Sequence, residues 1–218
     1  MKRFLFLVRV KGFVFSLLLA APAFAAQSKE ILYQNDFEKA DPGKVPSDML
    51  VLDGAFGVKE EAGNHFLELP GAPLDTFGIL FGPTEGPGLT VSARVYGTAK
   101  GRRFPTFAVG LLGVGGFKLQ ISPGKKLLEL YKSDTVVASA PYSWESDCWT
   151  WLRLQTRKSG SSWKIEGKAW KQGTPEPDRW AISHEETEEP AAGRAALWGS
   201  PYSTTPIRYD DLIIKKSG

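Results

Sequence analysis

Beyond its first thirty residues, the chain alternates apolar and polar positions in short runs, and Gly, Pro, Asn, Asp and Ser cluster between the runs. In 89–96, Val91, Ala93 and Val95 fall on one side of an extended segment, and Thr90, Ser92 and Arg94 on the other. After Thr150, Leu152 and Leu154 alternate with Arg153 and Gln155. A period of two, with one side buried and one wet, is the signature of antiparallel strands. The pattern predicts strands over 31–37, 50–53, 56–59, 65–69, 78–81, 89–96, 106–112 and 117–121. Seven more follow over 126–131, 135–138, 150–156, 163–170, 180–183, 194–198 and 207–215. Almost no segment in this region shows helical spacing. Residues 113–116 (Gly-Val-Gly-Gly) and 159–162 (Ser-Gly-Ser-Ser) predict hairpin turns, and 41–47, 82–88 and 99–105 predict Pro/Gly loops. With no repeat and no low-complexity linker, these strands predict one all-β domain, a two-sheet antiparallel jelly-roll sandwich.

The N-terminus follows a different rule. Lys2, Arg3, Arg9 and Lys11 precede the apolar run 13–21, and Ala23-Phe24-Ala25 forms an A-x-A cleavage pattern. Residues 1–26 are therefore expected to be a signal peptide and 27–218 the folded domain, exported to the periplasm or the medium. The run is too short for a membrane span, which takes about 20 residues. The segment holds four of the 27 basic residues and no acidic ones, leaving 23 against 24 and a net charge of −1. The apparent basicity is thus an export feature, and nucleic acid is not an expected partner. A lone Cys148 cannot form an internal disulfide, and its position at a strand entry predicts a small buried apolar residue.

All seven tryptophans lie between Trp144 and Trp198. Trp163 shares a face with Ile165, and Trp180 with Ile182, so both are expected in the core. Trp151 alternates with Leu152 and is expected to face outward or into a groove. Trp144, Trp149 and Trp198 sit by turns, with Tyr142, Tyr202 and the Arg102-Arg103 pair as companions. A flat aromatic beside planar polar groups is what sugar recognition needs, so these eight residues are the candidate ligand-binding set. Asn35 and Asp36 on the first strand and Asp210 and Asp211 on the last are the weak candidates for a Ca²⁺ site, and no other cofactor is expected.

Several segments together resemble the concanavalin A-like lectin/glucanase superfamily, in its secreted bacterial LamG-like or keto-disaccharide-hydrolase-like branch. They are 33–38 (Tyr-Gln-Asn-Asp-Phe-Glu) with Gly43 and Pro46, Trp151-Leu-Arg-Leu before 163–170, Glu176-Pro177 to Trp180, Gly193, and 209–214 (Tyr-Asp-Asp-Leu-Ile-Ile). The resemblance implies the jelly roll over nearly the whole mature chain. It does not choose among the lectins, binding modules and glycosidases that share such folds. Glucanases of the superfamily carry Glu-x-Asp-x-x-Glu or Glu-x-Asp-x-Glu on one strand. Glu145-Ser-Asp147 lacks the second Glu, Glu176-Pro-Asp178 carries proline and Trp180, and the acidic 184–189 run reads as a solvated loop. His65 and His184 stand without partners for a zinc motif or nucleophile elbow. The expectation is an exported, non-catalytic carbohydrate-binding domain. Its rivals are a glycoside hydrolase that gathers carboxylates from separate strands (Glu129, Glu166, Asp147 or Asp210) and a structural envelope or adhesion domain.

Overall fold

A computed structural model describes Met1 and residues 30–72, 75–202 and 204–217. The expected signal peptide, Met1 apart, lies outside the described residues. Each strand predicted from the alternation overlaps an observed one, the one expected over 180–183 only through Ile182 and Ser183. In order they are β1 (Ile31–Asn35), β2 (Leu50–Asp53), β3 (Gly57–Glu61), β4 (Asn64–Leu69), β5 (Phe77–Glu85), β6 (Leu89–Gly97), β7 (Thr106–Leu111) and β8 (Phe117–Ser122). A 3₁₀ turn (Pro123–Lys125) leads to β9 (Leu127–Lys132), β10 (Thr135–Pro141), β11 (Cys148–Ser159), β12 (Ser162–Lys171), β13 (Ile182–Glu186), β14 (Gly193–Ser200) and β15 (Ile207–Lys216).

They form two antiparallel sheets. One runs β13-β12-β11-β6-β15-β4-β3, with β1 also on β15, and the other runs β10-β9-β8-β7-β14-β5-β2. The inner faces carry the predicted apolar sets: Val91, Ala93, Val95, Leu152, Leu154 and Ile165 of the eight-stranded sheet meet Val109, Leu119, Ile121, Leu128, Leu130 and Leu197 of the seven-stranded one. This is the two-sheet jelly-roll sandwich that the sequence predicts. Burying alternate residues from both sheets removes the apolar sides of all the long strands from water at once.

The last strand changes partner halfway. Residues 207–209 pair with β4, and 212–215 pair with β1. A register shift between Asp210 and Ile213 marks the change, and Asp211 adopts a positive φ of 50° there. An extra residue at such a bulge re-aims its neighbours, which is why Asp210 and Asp211 can both reach one cation. At one of the predicted hairpins, Ser159 pairs with Ser162 across a two-residue turn, with Gly160 at φ 64°.

Four local expectations change. Trp180 lies outside β13, half-buried on the outer surface of the eight-stranded sheet, because the 172–181 loop runs back across that surface. Residues 184–186 belong to an edge strand, where Glu186 bonds Lys132 and His184, and only the residues after it are loop. Cys148 is only half-buried, at the start of β11. Finally, the outer face of β6 is not simply wet, since Thr90 and Ser92 are both buried beneath that same loop and the C-terminal residues.

Candidate functional site

The eight candidate ligand-binding residues do not come together. Arg102 and Arg103 are exposed in the β6–β7 loop, at one rim of the sandwich. Tyr202 is on the neighbouring rim loop, paired with Thr205, and Lys100 reaches across from the first loop to Thr204. Tyr142 and Trp144 precede β11 and turn inward. Trp144 packs edge-on against Phe107 at 5.8 Å, and burial pushes the Tyr142 hydroxyl up to about 12, with Cys148 and Glu145 adding to it. Trp149 and Trp151 face outward from the eight-stranded sheet, as expected for Trp151. Trp151 stacks on Trp170 with centroids 6.0 Å apart, and Arg94 lies 4.7 Å over Trp149.

Trp198 is on the opposite side of the molecule. It lies in β14 close to the strand's end at Ser200, and projects from the outer face of the seven-stranded sheet. Its strand neighbours are Gly78 on β5 and Ala108 on β7. A Cβ on Gly78 would come within 2.5 Å of its six-membered ring, and one on Gly110 within 3.2 Å of Nε1. The indole therefore lies down over two side-chain-free positions, spanning β5 to β7 with its face turned away from the core. Ala108 and Ala196 keep the surrounding floor low. A large residue at any of these positions would prop the ring up.

Polar groups gather beside it on β8 and β9. Lys118 Nζ lies 4.6 Å from the Tyr131 ring and 5.7 Å from the Trp198 ring, a cation held between two aromatic faces. Burial pushes the Lys118 ammonium down, against the opposing pull of Asp134 and Glu129. Gln120 pairs across the strand with Glu129, which is 3% exposed. Glu129 accepts from Ser122 at 2.5 Å, Lys125 at 3.0 Å and Tyr131 at 3.3 Å. A cavity of about 290 Å³ runs past Trp198 and Lys118 to Thr76 and the turns at Val114 and Asp134.

Burial alone raises the Glu129 carboxyl, but the bonds from Ser122, Lys125 and Tyr131 outweigh it and hold the group below the usual carboxylate range. A depressed folded pKa stabilises the fold above the unfolded value, about 4.3, and that stabilisation is lost as pH falls through the folded pKa. Thermal melts from about pH 5 down to about pH 3 should show the wild type losing more stability than Glu129→Gln. Parallel curves would refute this reading of the site.

The other carboxylates considered for hydrolysis are each taken locally. Glu166 pairs with Arg157 at 2.8 Å and Gln155 on the eight-stranded sheet. Asp147 accepts from Thr98 and Ser146 in a turn, and Asp210 pairs with Arg94 at 2.7 Å. The strand partners of Glu129 are Gln120 and Ser139, so neither supplies a second carboxylate. Of the four weak metal candidates, Asn35 and Asp36 accept from the backbone of Phe37 and Glu38. Asp210 and Asp211 both turn to the Arg94 guanidinium. Among the described residues, no group of three His, Cys, Asp or Glu side chains is placed to hold a metal ion.

Lys118, Gln120, Tyr131 and the two glycines carry no mark in the sequence that sets them apart as a site. Their parity is readable, since Lys118/Gln120, Glu129/Tyr131 and Ala196/Trp198 all alternate with core residues. Their juxtaposition depends on strand order and register, which alternation does not encode.

No protein-family model matches the chain, and no curated protein is significantly similar to it in sequence. Solved structures are similar in fold. A carbohydrate-binding module, CBM66 from Bacillus subtilis, superposes with a TM-score of 0.54 at 12% identity, covering 77% of this chain and 95% of that one. The carbohydrate recognition domain of Emp47p gives 0.57 at 9% identity, over 87% and 98%. A seed lectin of Lotus tetragonolobus gives 0.53 at 7% identity, over 79% and 94%. At these identities the likeness shows the fold alone, a two-sheet antiparallel jelly roll.

Proposed function

We propose that this is an exported carbohydrate-binding domain that holds a glycan, without cleaving it, on the outer face of its seven-stranded sheet. The observation that carries the proposal is the Trp198 indole laid flat over Gly78 and Gly110 with Lys118 and Tyr131 beside it. A pyranose presents an apolar C–H face and a rim of hydroxyls. The indole meets the first, and Lys118, Gln120 and the hydroxyls of Thr76 and Ser200 meet the second. Glu129 is occupied by Ser122, Lys125 and Tyr131, and its strand partners Gln120 and Ser139 carry no carboxyl, which favours holding a sugar over breaking a glycosidic bond, for which two carboxyls about 5–9.5 Å apart are commonly used. The fold shared with CBM66, Emp47p and the Lotus lectin supports the same reading. So do the cleavage pattern ahead of residue 27 and the end strands, whose segments fit the LamG-like or keto-disaccharide-hydrolase-like branch.

The test is a glycan array with the mature protein, paired with a reducing-sugar release assay. Binding without release is expected. Trp198→Ala should lower affinity for the glycan found by about tenfold or more while leaving the fold intact, because the ring is surface-mounted. Gly78→Ala should do nearly as much with Trp198 still present, because its methyl displaces the ring. Unchanged binding in both variants would sink the proposal, and release of reducing ends would make the protein a hydrolase.

A further inference from the structure

The opposite face of the molecule has a pocket that glycan binding at Trp198 does not use. It holds about 330 Å³ on the outer surface of the eight-stranded sheet, near the lower end of the range of small-ligand sites. Its floor is a row of strand neighbours, Ser92 on β6, Arg153 on β11 and Lys168 on β12, directly opposite one another. The next row adds Lys215 on β15, Thr90 on β6 and Gln155 on β11. The 172–181 loop forms the roof and contributes Glu176 and Trp180.

The charges here do not cancel. Like charges directly opposite each other on adjacent strands are destabilising unless an anion bridges them. Arg153 and Lys168 stand in that relation, and a single oxygen of Glu176 bridges them, at 2.5 Å from Arg153 Nη1 and 2.7 Å from Lys168 Nζ. Lys168 is almost sealed, its side chain 8% exposed, and it also donates to the carbonyl of Pro177. Among the described residues, Lys215 has no carboxylate within ion-pair distance. Arg153 and Lys168 thus share one carboxylate, which belongs to a surface loop and keeps its side chain about one-third exposed, at 35%, while Glu166, beyond Gln155 in the second row, is taken by Arg157. The Trp180 indole completes the wall, 4.7 Å from the Lys168 ammonium.

A part-exposed carboxylate on a loop, lodged between a guanidinium and a buried ammonium, is in the position an external carboxylate would take. We propose that this pocket is a second binding site, for the carboxylate of a hexuronate residue in an acidic glycan, and that Glu176 is its internal stand-in when the site is empty. The incoming carboxylate takes the Arg153 fork and the Lys168 ammonium, Lys215 adds charge from the far side, and the sugar ring rests against Trp180. Ser92, Thr90 and Gln155 face the hydroxyls. Glu176 moves toward solvent, so it competes with the ligand.

Calorimetric titration with a galacturonic acid trimer, a neutral trimer and a sulfated trimer tests this. The uronate trimer should bind, and more weakly as salt rises. Glu176→Gln should tighten its binding by about tenfold, because the competing charge is gone and the cations remain. Lys215→Gln, which breaks no ion pair among the described residues, should weaken it several-fold. Unchanged or weaker binding in Glu176→Gln would overturn the stand-in role, since a merely structural bridge gives that result. Equal or tighter binding of the sulfated trimer would overturn the carboxylate assignment. Loss of uronate binding in Trp198→Ala would place the acidic sugar on the other face and overturn the site.

Discussion

Replacing Arg94 by Met should destabilise the fold by about 3–5 kcal/mol, as removing one partner of a buried ion pair does. Arg94 Nη2 lies 2.7 Å from Asp210, whose side chain is 1% exposed, and 3.1 Å from Asn64 Oδ1. Its Nε sits 2.7 Å from Asp211, off the N–H axis, so that contact is an ion pair more than a hydrogen bond. Its guanidinium also covers Trp149. Met keeps most of the volume and removes the charge, leaving Asp210 with Asn64 and one backbone N–H. The pH dependence identifies the cause. Burial already raises the Asp210 carboxyl beyond what Asn64 and Arg94 offset. Without Arg94 it rises further, and the penalty applies only where the group is charged. The deficit of Arg94→Met should therefore shrink as pH falls through that raised pKa. Adding Asp210→Asn should recover much of the loss at neutral pH. Chemical denaturation of the wild type and both variants checks this, and a loss under about 1 kcal/mol for Arg94→Met would show the pair behaving as a surface bridge.

Tyr209→Ala should cost a similar amount, about 3–5 kcal/mol, through the cavity left by a large buried ring. Tyr209 projects from β15 into the core at 0% exposure, and its hydroxyl donates to the carbonyl of Trp198 on β14 at 3.0 Å. It thus joins the two sheets directly beneath the proposed binding face, in a space kept open by the absence of a side chain at Gly199. Tyr209→Phe removes only that bond and should cost about 1 kcal/mol. Tyr209→Ala, in addition, loosens the strand that carries Trp198 and should weaken glycan binding while Tyr209→Phe largely keeps it. Equal losses of affinity in both variants would contradict this division.

The two variants also show where sequence reading reaches and where it stops. Tyr209 shares parity with Ile207 and is recognisable as core from alternation alone. That its hydroxyl meets the carbonyl of Trp198 requires the sheets to be stacked. Arg94 stands between Ala93 and Val95, both of the apolar set, so its outward direction is legible. Its capture of two aspartates depends on a bulge in β15 that no alternation announces. Trp180 shares parity with Ile182 and so reads as core, yet its backbone has left the strand. A period of two has meaning only while the chain stays extended.

Composition and period determined that the chain is an all-β sandwich with these strands, because each apolar side must be buried locally whatever its partner is. They also determined which side of each long strand faces in. The tertiary structure decided which outward side chains share a surface, since strand order and register bring together residues far apart in the chain. It separated Trp198 from Trp149 and Trp151 onto opposite faces, set Lys118 and Tyr131 beside the first, and put Glu176 between Arg153 and Lys168. A strand reports its own two faces, but a binding face is a property of several strands at once.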